Sequence, residues 1–219
     1  METLADVCGV ILAGGESRRF GRDKRAAQLA GRSLIEHVIE RFRPQVGRLV
    51  VATGADASWA SALDVDTVAD PLPRRGPLSG LLAGLEWAAR AQPDLAWIAT
   101  APCDCPFLPR DLVREMREAL NASPGAEVAI AASSNRLHPT LCIVPTRIGA
   151  ELRTLLEESA DLSMRGFLGH YRTIKVHFPE TDGEDSFLNI NTADQLAAAE
   201  DCLRMRAIKL PPSGVLQAR

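Results

Sequence analysis

The stretch GVILAGGESRRFGRDKRAA, residues 9–27, joins an unbroken apolar run to a pair of glycines and then to a cluster of cations. The apolar run predicts a buried strand, and the glycines predict the turn that leaves it. Because glycine has no Cβ, Gly14 and Gly15 let backbone N–H groups approach an oxygen-rich ligand closely. The basic residues Arg18, Arg19, Arg22, Lys24 and Arg25 outnumber Glu16 and Asp23. We therefore expect an anion site on this turn.

Two familiar phosphate-binding loops do not fit this stretch. The dinucleotide fingerprint needs G-x-G-x-x-G, whereas the glycines here are adjacent. The Walker pattern needs four residues between its glycines and then Lys and Ser or Thr, but residues 16–20 separate Gly15 from Gly21, and Arg22 follows. A bare surface turn with solvated arginines stays open as the alternative at this point.

The bulk composition indicates an ordinary globular protein. The chain has 219 residues, 46% hydrophobic and 24% charged, with a net charge of −3. Such a chain has no global basic field to attract nucleic acid or acidic membranes. No apolar run approaches the ~20 residues that span a bilayer, and METLADVCGVIL lacks the pattern of a secretory signal. The five cysteines have no regular spacing, so we expect a cytoplasmic protein.

Apolar runs alternate with amphipathic patterns along the chain, which predicts an α/β fold with a mostly parallel sheet. Strands are predicted at 7–12, 49–53, 67–69, 95–100, 127–132, 138–144 and 173–178, the sixth antiparallel to the fifth and the first five buried on both faces. Helices are predicted at 33–42, 79–91, 110–120, 146–158 and 191–205, with a helix or turn at 163–169. Capping boxes are expected at Ser33 with Glu36 and at Thr192 with Gln195. We expect a single domain over residues 1–205 and a loose tail over 206–219.

Asp104 is the carboxylate that we expect to hold a metal ion. It follows an apolar strand in IATAPCDCPFLP, where a lone aspartate is costly unless it faces a cleft. A nucleoside triphosphate normally arrives with Mg²⁺, which takes oxygen ligands. A turn or helix-capping aspartate is the plainer alternative. The flanking Cys103 and Cys105 do not predict zinc, because alternate neighbours point in opposite directions and no C-x-x-C partner exists elsewhere.

Four further polar residues are candidates for the site. Asp70 ends the third apolar run, where it could contact a nucleoside or a metal-bound water, or form a turn before proline. His138 opens a strand and is either catalytic or a turn residue. In FLNINT, Asn189 and Asn191 lie two apart and point to one side of an extended chain, where their amides can bind a phosphate-bearing acceptor. Asn191 could instead mark the entry to a helix. Glycines 76, 80 and 84 serve either close ligand approach or helix packing.

Taken together, these motifs resemble a known family. LAGGESRRFGRDK resembles the L-A-G/A-G-x-S-x-R-[MF]-G-x-x-K signature of nucleotidyltransferases with a Rossmann-like fold. With the Asp70–GPLSG stretch, APCDCPF, LHPT and FLNINTADQLA in the same order, residues 7–203 are similar to the molybdenum cofactor guanylyltransferases. The resemblance implies a single-domain, three-layer nucleotidyltransferase fold with an antiparallel element in its C-terminal half. It also implies a Mg²⁺-dependent enzyme that joins GMP from GTP to the terminal phosphate of molybdopterin and releases pyrophosphate.

The resemblance assigns an expected role to each motif residue. Leu12, Ala13, Gly14 and Gly15 would hold the guanine nucleotide through backbone groups, and Lys24 and Arg19 would neutralise developing charge on the phosphates. Asp70 would meet the nucleoside, Asp104 the Mg²⁺, and Asn189 and Asn191 the molybdopterin. The second strand of this family usually ends in an asparagine, but this chain has Ala52 at about that place, with Thr53 as a nearby substitute.

Three rival functions fit the sequence less well. A cytidylyl relative acts on the same pterin with a loop that tends to be LAAG, so Gly14 favours guanine, because a Cβ at that position would crowd a purine edge. A regulatory protein that binds nucleotide without chemistry would lack Lys24 or Asp104, and both are present. A dinucleotide-dependent oxidoreductase lacks its G-x-G-x-x-G. The expected partners are GTP, molybdopterin and other cofactor-biosynthesis proteins, with no nucleic acid and no membrane.

Overall fold

The computed structural model describes residues 3–14, 27–54, 57–72, 74–92, 94–134, 136–159, 162–180 and 186–209. Three of the expected site residues, Gly15, Arg19 and Lys24, lie outside the described residues. The rest of the predicted site lies within them.

A seven-stranded sheet forms the centre of the molecule, in the order β5-β4-β1-β6-β8-β7-β9. Its strands are β1 (Leu4–Leu12), β4 (Val46–Thr53), β5 (Asp66–Ala69), β6 (Trp97–Pro102), β7 (Val128–Ser133), β8 (Arg136–Pro145) and β9 (Thr173–Phe178). All neighbouring pairs are parallel except those that β8 forms with β6 and β7. The predicted antiparallel neighbour in the C-terminal half is therefore confirmed.

Helices cover both faces of the sheet. They are α1 (Leu34–Phe42), α2 (Pro77–Ala91), α3 (Leu112–Ala122), α4 (Gly149–Glu158), α5 (Met164–Leu168) and α6 (Ala193–Lys209). Buried side chains of α1 and α3 pack in one core cluster, and those of α2, α4 and α5 pack in a second cluster on the other face. Two cores on either side of one sheet make a three-layer α/β/α architecture, as expected.

The edges of the predicted elements were less accurate than their order. The four residues of β5 are exposed or half-buried because β5 is an edge strand, so burial on both faces is wrong for it. A short hairpin, β2 (Gln28–Leu29) with β3 (Arg32–Ser33), was not predicted. It packs with Phe107, Ile190 and α6 in a third, small core cluster. The last helix continues to Lys209, beyond the predicted end at 205.

The local start signals were accurate. The backbone N–H of Ser33 donates to Glu36 Oε2 at 2.7 Å, which completes the predicted capping box of α1. At α6 the N–H of Gln195 donates to Thr192 Oγ1 at 3.2 Å. The side chain of Gln195 reaches one residue further back than a capping box requires, because its Oε1 accepts from the N–H of Asn191.

Strand β8 separates from β6 near the carboxyl end of β6. Their register ends at Ala99 opposite Ile143. In the register with β7, Ile130 lies opposite Cys142 but Ala131 lies opposite His138, so residues 139–141 form a bulge. The hydroxyl of Thr100 fills the resulting gap, since it donates to the carbonyl of Thr140 at 2.9 Å and accepts from the N–H of Cys142. The sheet therefore opens beside the end of β6.

Candidate active site

Ala13 and Gly14, the described part of the predicted glycine turn, follow β1 at the carboxyl edge of the parallel strands, where ligands bind in open α/β sheets. The N–H of Ala13 donates to the carbonyl of Ala52 at 2.9 Å, and the N–H of Cys103 donates to the carbonyl of Leu12 at 3.2 Å. These bonds extend the ladder from β1 to β4 and β6 as far as the turn. The side chains of Leu12 and Ala13 are buried, so the turn offers a ligand its backbone.

Asp70 lies against this turn. Its N–H donates to the carbonyl of Thr53, which fixes the chain at the end of β5. A Cβ atom added to Gly14 would stand 2.3 Å from Asp70 Oδ2, so the glycine backbone and the carboxylate occupy adjacent space. Among the described residues, Oδ1 of Asp70 is buried without a hydrogen-bond partner. Burial raises the pKa of this carboxyl to about 6.

A buried acceptor without a partner is costly, which points to a ligand that donates a hydrogen bond to Asp70. The structure therefore brings Gly14 and Asp70 together, as expected for two parts of one site.

The start of α2 forms the wall beside Asp70. Gly76 precedes the helix with φ +59°, a conformation that favours glycine, and a Cβ there would meet open space. The hydroxyl of Ser79 accepts from the N–H of Leu72 and so ties the Asp70 loop to the helix. A Cβ on Gly80 would stand 2.9 Å from Leu12 Cδ2, and one on Gly84 would stand 2.3 Å from Val10 Cγ2. Gly80 and Gly84 thus serve helix–sheet packing, whereas Gly76 borders open space.

Asp104 lies on the other side of the turn, just after β6. It is 9% exposed, and its backbone carbonyl accepts from the N–H of Ile190 at 2.9 Å. Of its two cysteine neighbours, Cys105 is buried, with its thiol 3.7 Å from the carbonyl of Ser186, and Cys103 is half-buried. Asp104 is therefore joined to the chain that carries Asn189 and Asn191.

The two asparagines flank Ile190, which is fully buried while both of them are half-buried. This alternation agrees with an extended segment whose amides share one side. The Nδ2 of Asn191 donates to the carbonyl of Asn189 at 3.5 Å. Asn191 also directly precedes the cap of α6, so both sequence interpretations of this residue are compatible with its position.

Two residues that the sequence offered for the site, His138 and Thr53, are buried and hydrogen-bonded within the protein. His138 is 6% exposed, and its Nε2 lies 2.7 Å from Ser133 Oγ, so it is a buried, hydrogen-bonded residue within β8. Thr53 is fully buried, and its hydroxyl donates to the carbonyl of Val68 at 3.3 Å. It is therefore not placed to substitute for the asparagine of the family. Ala52 is buried under α2 and offers no polar group.

Sequence reasoning missed the residues that support the site. Thr100 lies in a predicted apolar run, yet its hydroxyl bridges β6 and β8. Phe187 belongs to the FLNINT motif, which does not indicate its contact with His138. A polar residue inside an apolar strand was the available signal for Thr100; no local pattern pairs Phe187 with His138.

The carboxylates of the site fit a magnesium ion that is bound mainly through the phosphates of the substrate. No group of three or more His, Cys, Asp or Glu residues that could hold a metal occurs in the described part of the chain. Mg²⁺ is usually bound through one or two carboxylates together with phosphates and water. Two carboxylates of that kind are present: Asp104, buried after β6, and Asp70, whose Oδ1 has no hydrogen-bond partner in the part of the chain that the structure describes.

A cavity of about 680 Å³ lies at the opposite edge of the sheet. Its lining includes Arg48 and Asp66, near the starts of β4 and β5, and Gln92, after the end of α2. The motif residues described above take no part in it. This cavity is therefore separate from the candidate active site.

Comparison with known proteins places the chain in a family. Residues 9–174 match the model of the MobA-like NTP transferase domain. The molybdenum cofactor guanylyltransferase of Rhodopseudomonas palustris (strain BisB5) is 38% identical over 193 residues, which cover 87% of this chain and 91% of that protein. The enzyme of the same name from Bradyrhizobium sp. (strain ORS 278) is 38% identical over 90% of this chain and 93% of its own length.

A solved structure agrees with this match. The molybdopterin-guanine dinucleotide biosynthesis protein A of Archaeoglobus fulgidus superposes with a TM-score of 0.70 at 25% identity, over 90% of this chain and 99% of its own. Within the described residues no helix is long and apolar enough to cross a bilayer. The chain belongs to the MobA-like NTP transferase family, among the molybdenum cofactor guanylyltransferases.

Proposed function

We propose that the chain transfers GMP from GTP to the terminal phosphate of molybdopterin, giving molybdopterin guanine dinucleotide and pyrophosphate. The observation that carries this proposal is the arrangement of Asp70 and Asp104 on either side of the Ala13–Gly14 turn, in a chain of this family. A backbone turn flanked by carboxylates suits a nucleotide with a metal ion better than it suits an apolar ligand.

The nucleotide would lie over the turn. Backbone groups of Leu12, Ala13, Gly14 and Gly15 would line it, and Asp70 would accept a hydrogen bond from the nucleoside. Oδ1 of Asp70 is buried and has no hydrogen-bond partner among the described residues, and this supports the role, because a donor on the ligand would satisfy it. Lys24 and Arg19 would contact the phosphates, since fixed cations stabilise the charge that develops there.

Asp104 would hold Mg²⁺. Asp70, beside the turn, would accept a hydrogen bond from a water bound to that ion. Bound there, the ion supplies charge neutralisation on the transferring phosphoryl group. The same position of Asp104, joined through its carbonyl to Ile190, brings the metal ligand next to the segment that carries Asn189 and Asn191. Those two amides would hold the phosphate end of molybdopterin.

The reaction proposed here is an in-line displacement. An oxygen of the molybdopterin phosphate bonds to the α-phosphorus of GTP as the bond from that phosphorus to the β-phosphate oxygen breaks. The attacking phosphate is already anionic at pH 7, so no general base is needed. The protein contributes orientation of the two substrates and fixed positive charge from Lys24 and Arg19.

Pyrophosphate release tests this function directly. The protein would be given Mg²⁺, molybdopterin and GTP, CTP or ATP in turn, with reactions lacking molybdopterin as the control. Pyrophosphate release is expected only in the mixture that contains both molybdopterin and GTP. Release with CTP instead would keep the mechanism and assign the cytidylyl reaction, the alternative that Gly14 disfavours. Binding of GTP without release in any mixture would contradict the proposal and favour a regulatory protein.

The proposed setting is the cytoplasm, on the composition and the irregular cysteines. Other cofactor-biosynthesis proteins would deliver the molybdopterin. Both proposals go beyond the family assignment, and the second rests on the reaction above.

A further inference from the structure

A chain of buried contacts connects β8 with the end of β6. The Nε2 of His138 lies 2.7 Å from Ser133 Oγ, and its ring centroid lies 4.8 Å from that of Phe187, with the planes tilted by 52°. Three residues further along, the N–H of Ile190 donates to the carbonyl of Asp104 at 2.9 Å. His138 thus contacts the beginning of the same short segment, residues 187–191, whose middle is fixed to Asp104.

We propose that His138 is a positioning residue for the acceptor: through Phe187 it holds the 187–191 segment, and with it Asn189 and Asn191, against Asp104. The acceptor half of this inference rests on the proposed function. The mechanical half, that His138 orders the segment, rests on the contacts alone.

Phe187 is the anchor at the start of this segment. It is 2% exposed and lies between two rings, His138 on one side and Phe178 on the other, the latter with centroids 5.3 Å apart in an edge-on arrangement. Such ring pairs contribute stabilisation beyond the area that they bury. Ile190, fully buried in the third core cluster, is the second anchor. The half-buried Asn189 lies between the two anchors.

Ser133 sets the orientation of the imidazole. Both groups are buried, so their mutual hydrogen bond satisfies polar atoms that would otherwise be costly. An apolar residue at 138 would remove this bond and the ring contact together. A glutamine keeps a polar group near the place of Nε2 and a flat amide toward Phe187, so it is the conservative replacement.

The order of the strands separates the two substrates. The Ala13–Gly14 turn and Asp70 follow β1 and β5, whereas His138 lies in β8, on the other side of β6. Asp104, after β6, stands between the two groups. Disturbing His138 should therefore weaken the acceptor side and leave nucleotide binding unchanged.

Steady-state kinetics test the acceptor half. We expect His138→Leu to raise the KM for molybdopterin roughly tenfold, from loss of one hydrogen bond and one ring contact. The KM for GTP should stay within about twofold, because its site is elsewhere. His138→Gln should restore most of the KM for molybdopterin. His177→Leu and His177→Gln, at an exposed histidine of β9, are matched controls that should change neither constant.

Amide hydrogen exchange in the free protein tests the mechanical half without reference to activity. His138→Leu should accelerate exchange at the N–H of Ile190 and leave the N–H groups of Ala13 and Asp70 protected. Should this variant not fold, Phe187→Leu removes the same ring contact from the other partner and should give the same result. Unchanged exchange at Ile190 in a folded variant would overturn the inference, as would equal rises in both KM values.

The two failures can be told apart. If the proposed function is wrong, the wild-type protein does not turn over molybdopterin, yet the exchange result at Ile190 still decides the role of His138. If only the inference is wrong, the wild-type protein turns over molybdopterin and His138→Leu has the same KM for molybdopterin as the wild type.

Discussion

Gly14 and Asp70 lie so close together that only a residue without a side chain fits at position 14. A Cβ on Gly14 would stand 2.3 Å from Oδ2 of the aspartate. The sequence interpretation of Gly14 placed the steric conflict at the purine edge of the nucleotide. The structure adds a conflict inside the protein itself. A side chain at position 14 can therefore affect the choice between GTP and CTP in two ways: by displacing Asp70, and by contacting the base itself.

Gly14→Ala should lower kcat/KM for GTP roughly a hundredfold, because the carboxylate must move by about an ångström from a site that depends on orientation. The control is Gly54→Ala at the end of β4, where an added Cβ meets no atom within 4 Å. Steady-state rates with GTP and with CTP are the measurement. A Gly14→Ala enzyme with wild-type GTP kinetics would show that the carboxylate relaxes at no cost.

A double-mutant cycle separates the two explanations. If the alanine acts by displacing Asp70, its effect should vanish once Asp70→Ala has removed the carboxylate. If it acts on the purine, Gly14→Ala should still penalise GTP relative to CTP in the Asp70→Ala background. The ratio of kcat/KM for the two nucleotides in all four proteins decides between them.

Asp70 also predicts a pH dependence of stability. Burial raises its folded-state pKa to about 6 from the ordinary value of 3.8, so the folded protein binds more protons than the unfolded one between these values. The free energy of unfolding therefore falls as pH rises through this window and stays lower above it. The carboxylate costs stability at neutral pH that a neutral side chain would not.

Asp70→Asn should accordingly stabilise the nucleotide-free protein at pH 7.5 by about 1 kcal/mol, after allowance for solvent screening of a half-buried group. That corresponds to about 2–4 °C in Tm for a chain of this length. The gain should disappear near pH 3, where the carboxyl is protonated in both the folded and the unfolded state. GTP binding by the variant should weaken. Thermal denaturation from pH 3 to 8 measures the gain, and a gain of equal size at every pH would exclude titration of Asp70 as the cause.

The sequence predicted the elements that local physical chemistry determines. The apolar run before Gly14 and the capping box at Ser33 depend on neighbours within a few residues, and both are confirmed. The place of His138 depends on Ser133 across a strand pair and on Phe187 far along the chain. No short-range pattern encodes that contact, so a buried structural histidine and a catalytic one gave the same sequence signal.

Asp104→Asn should reduce turnover at least a hundredfold with Mg²⁺ and GTP, because an amide is a weaker ligand for a hard cation than a carboxylate. GTP binding measured without divalent metal should change little. Asp94→Asn is the matched control, since Asp94 is exposed and precedes β6 at the opposite edge. Circular dichroism should give the same fold for both variants. Full activity of Asp104→Asn at limiting Mg²⁺ would remove Asp104 from the metal site.

Gly84→Ala tests whether Gly84 serves helix packing or ligand approach. The substitution adds a Cβ 2.3 Å from Val10 Cγ2, where α2 crosses β1. Overpacking of this kind costs about 1–3 kcal/mol. The Tm should then fall by about 2–4 °C per kcal/mol. Gly149→Ala, at the start of α4 with its nearest neighbour at an ordinary 3.4 Å, should leave the Tm unchanged or slightly raised. A Gly84→Ala protein with unchanged Tm but weakened GTP binding would reverse the assignment and return this glycine to the ligand site.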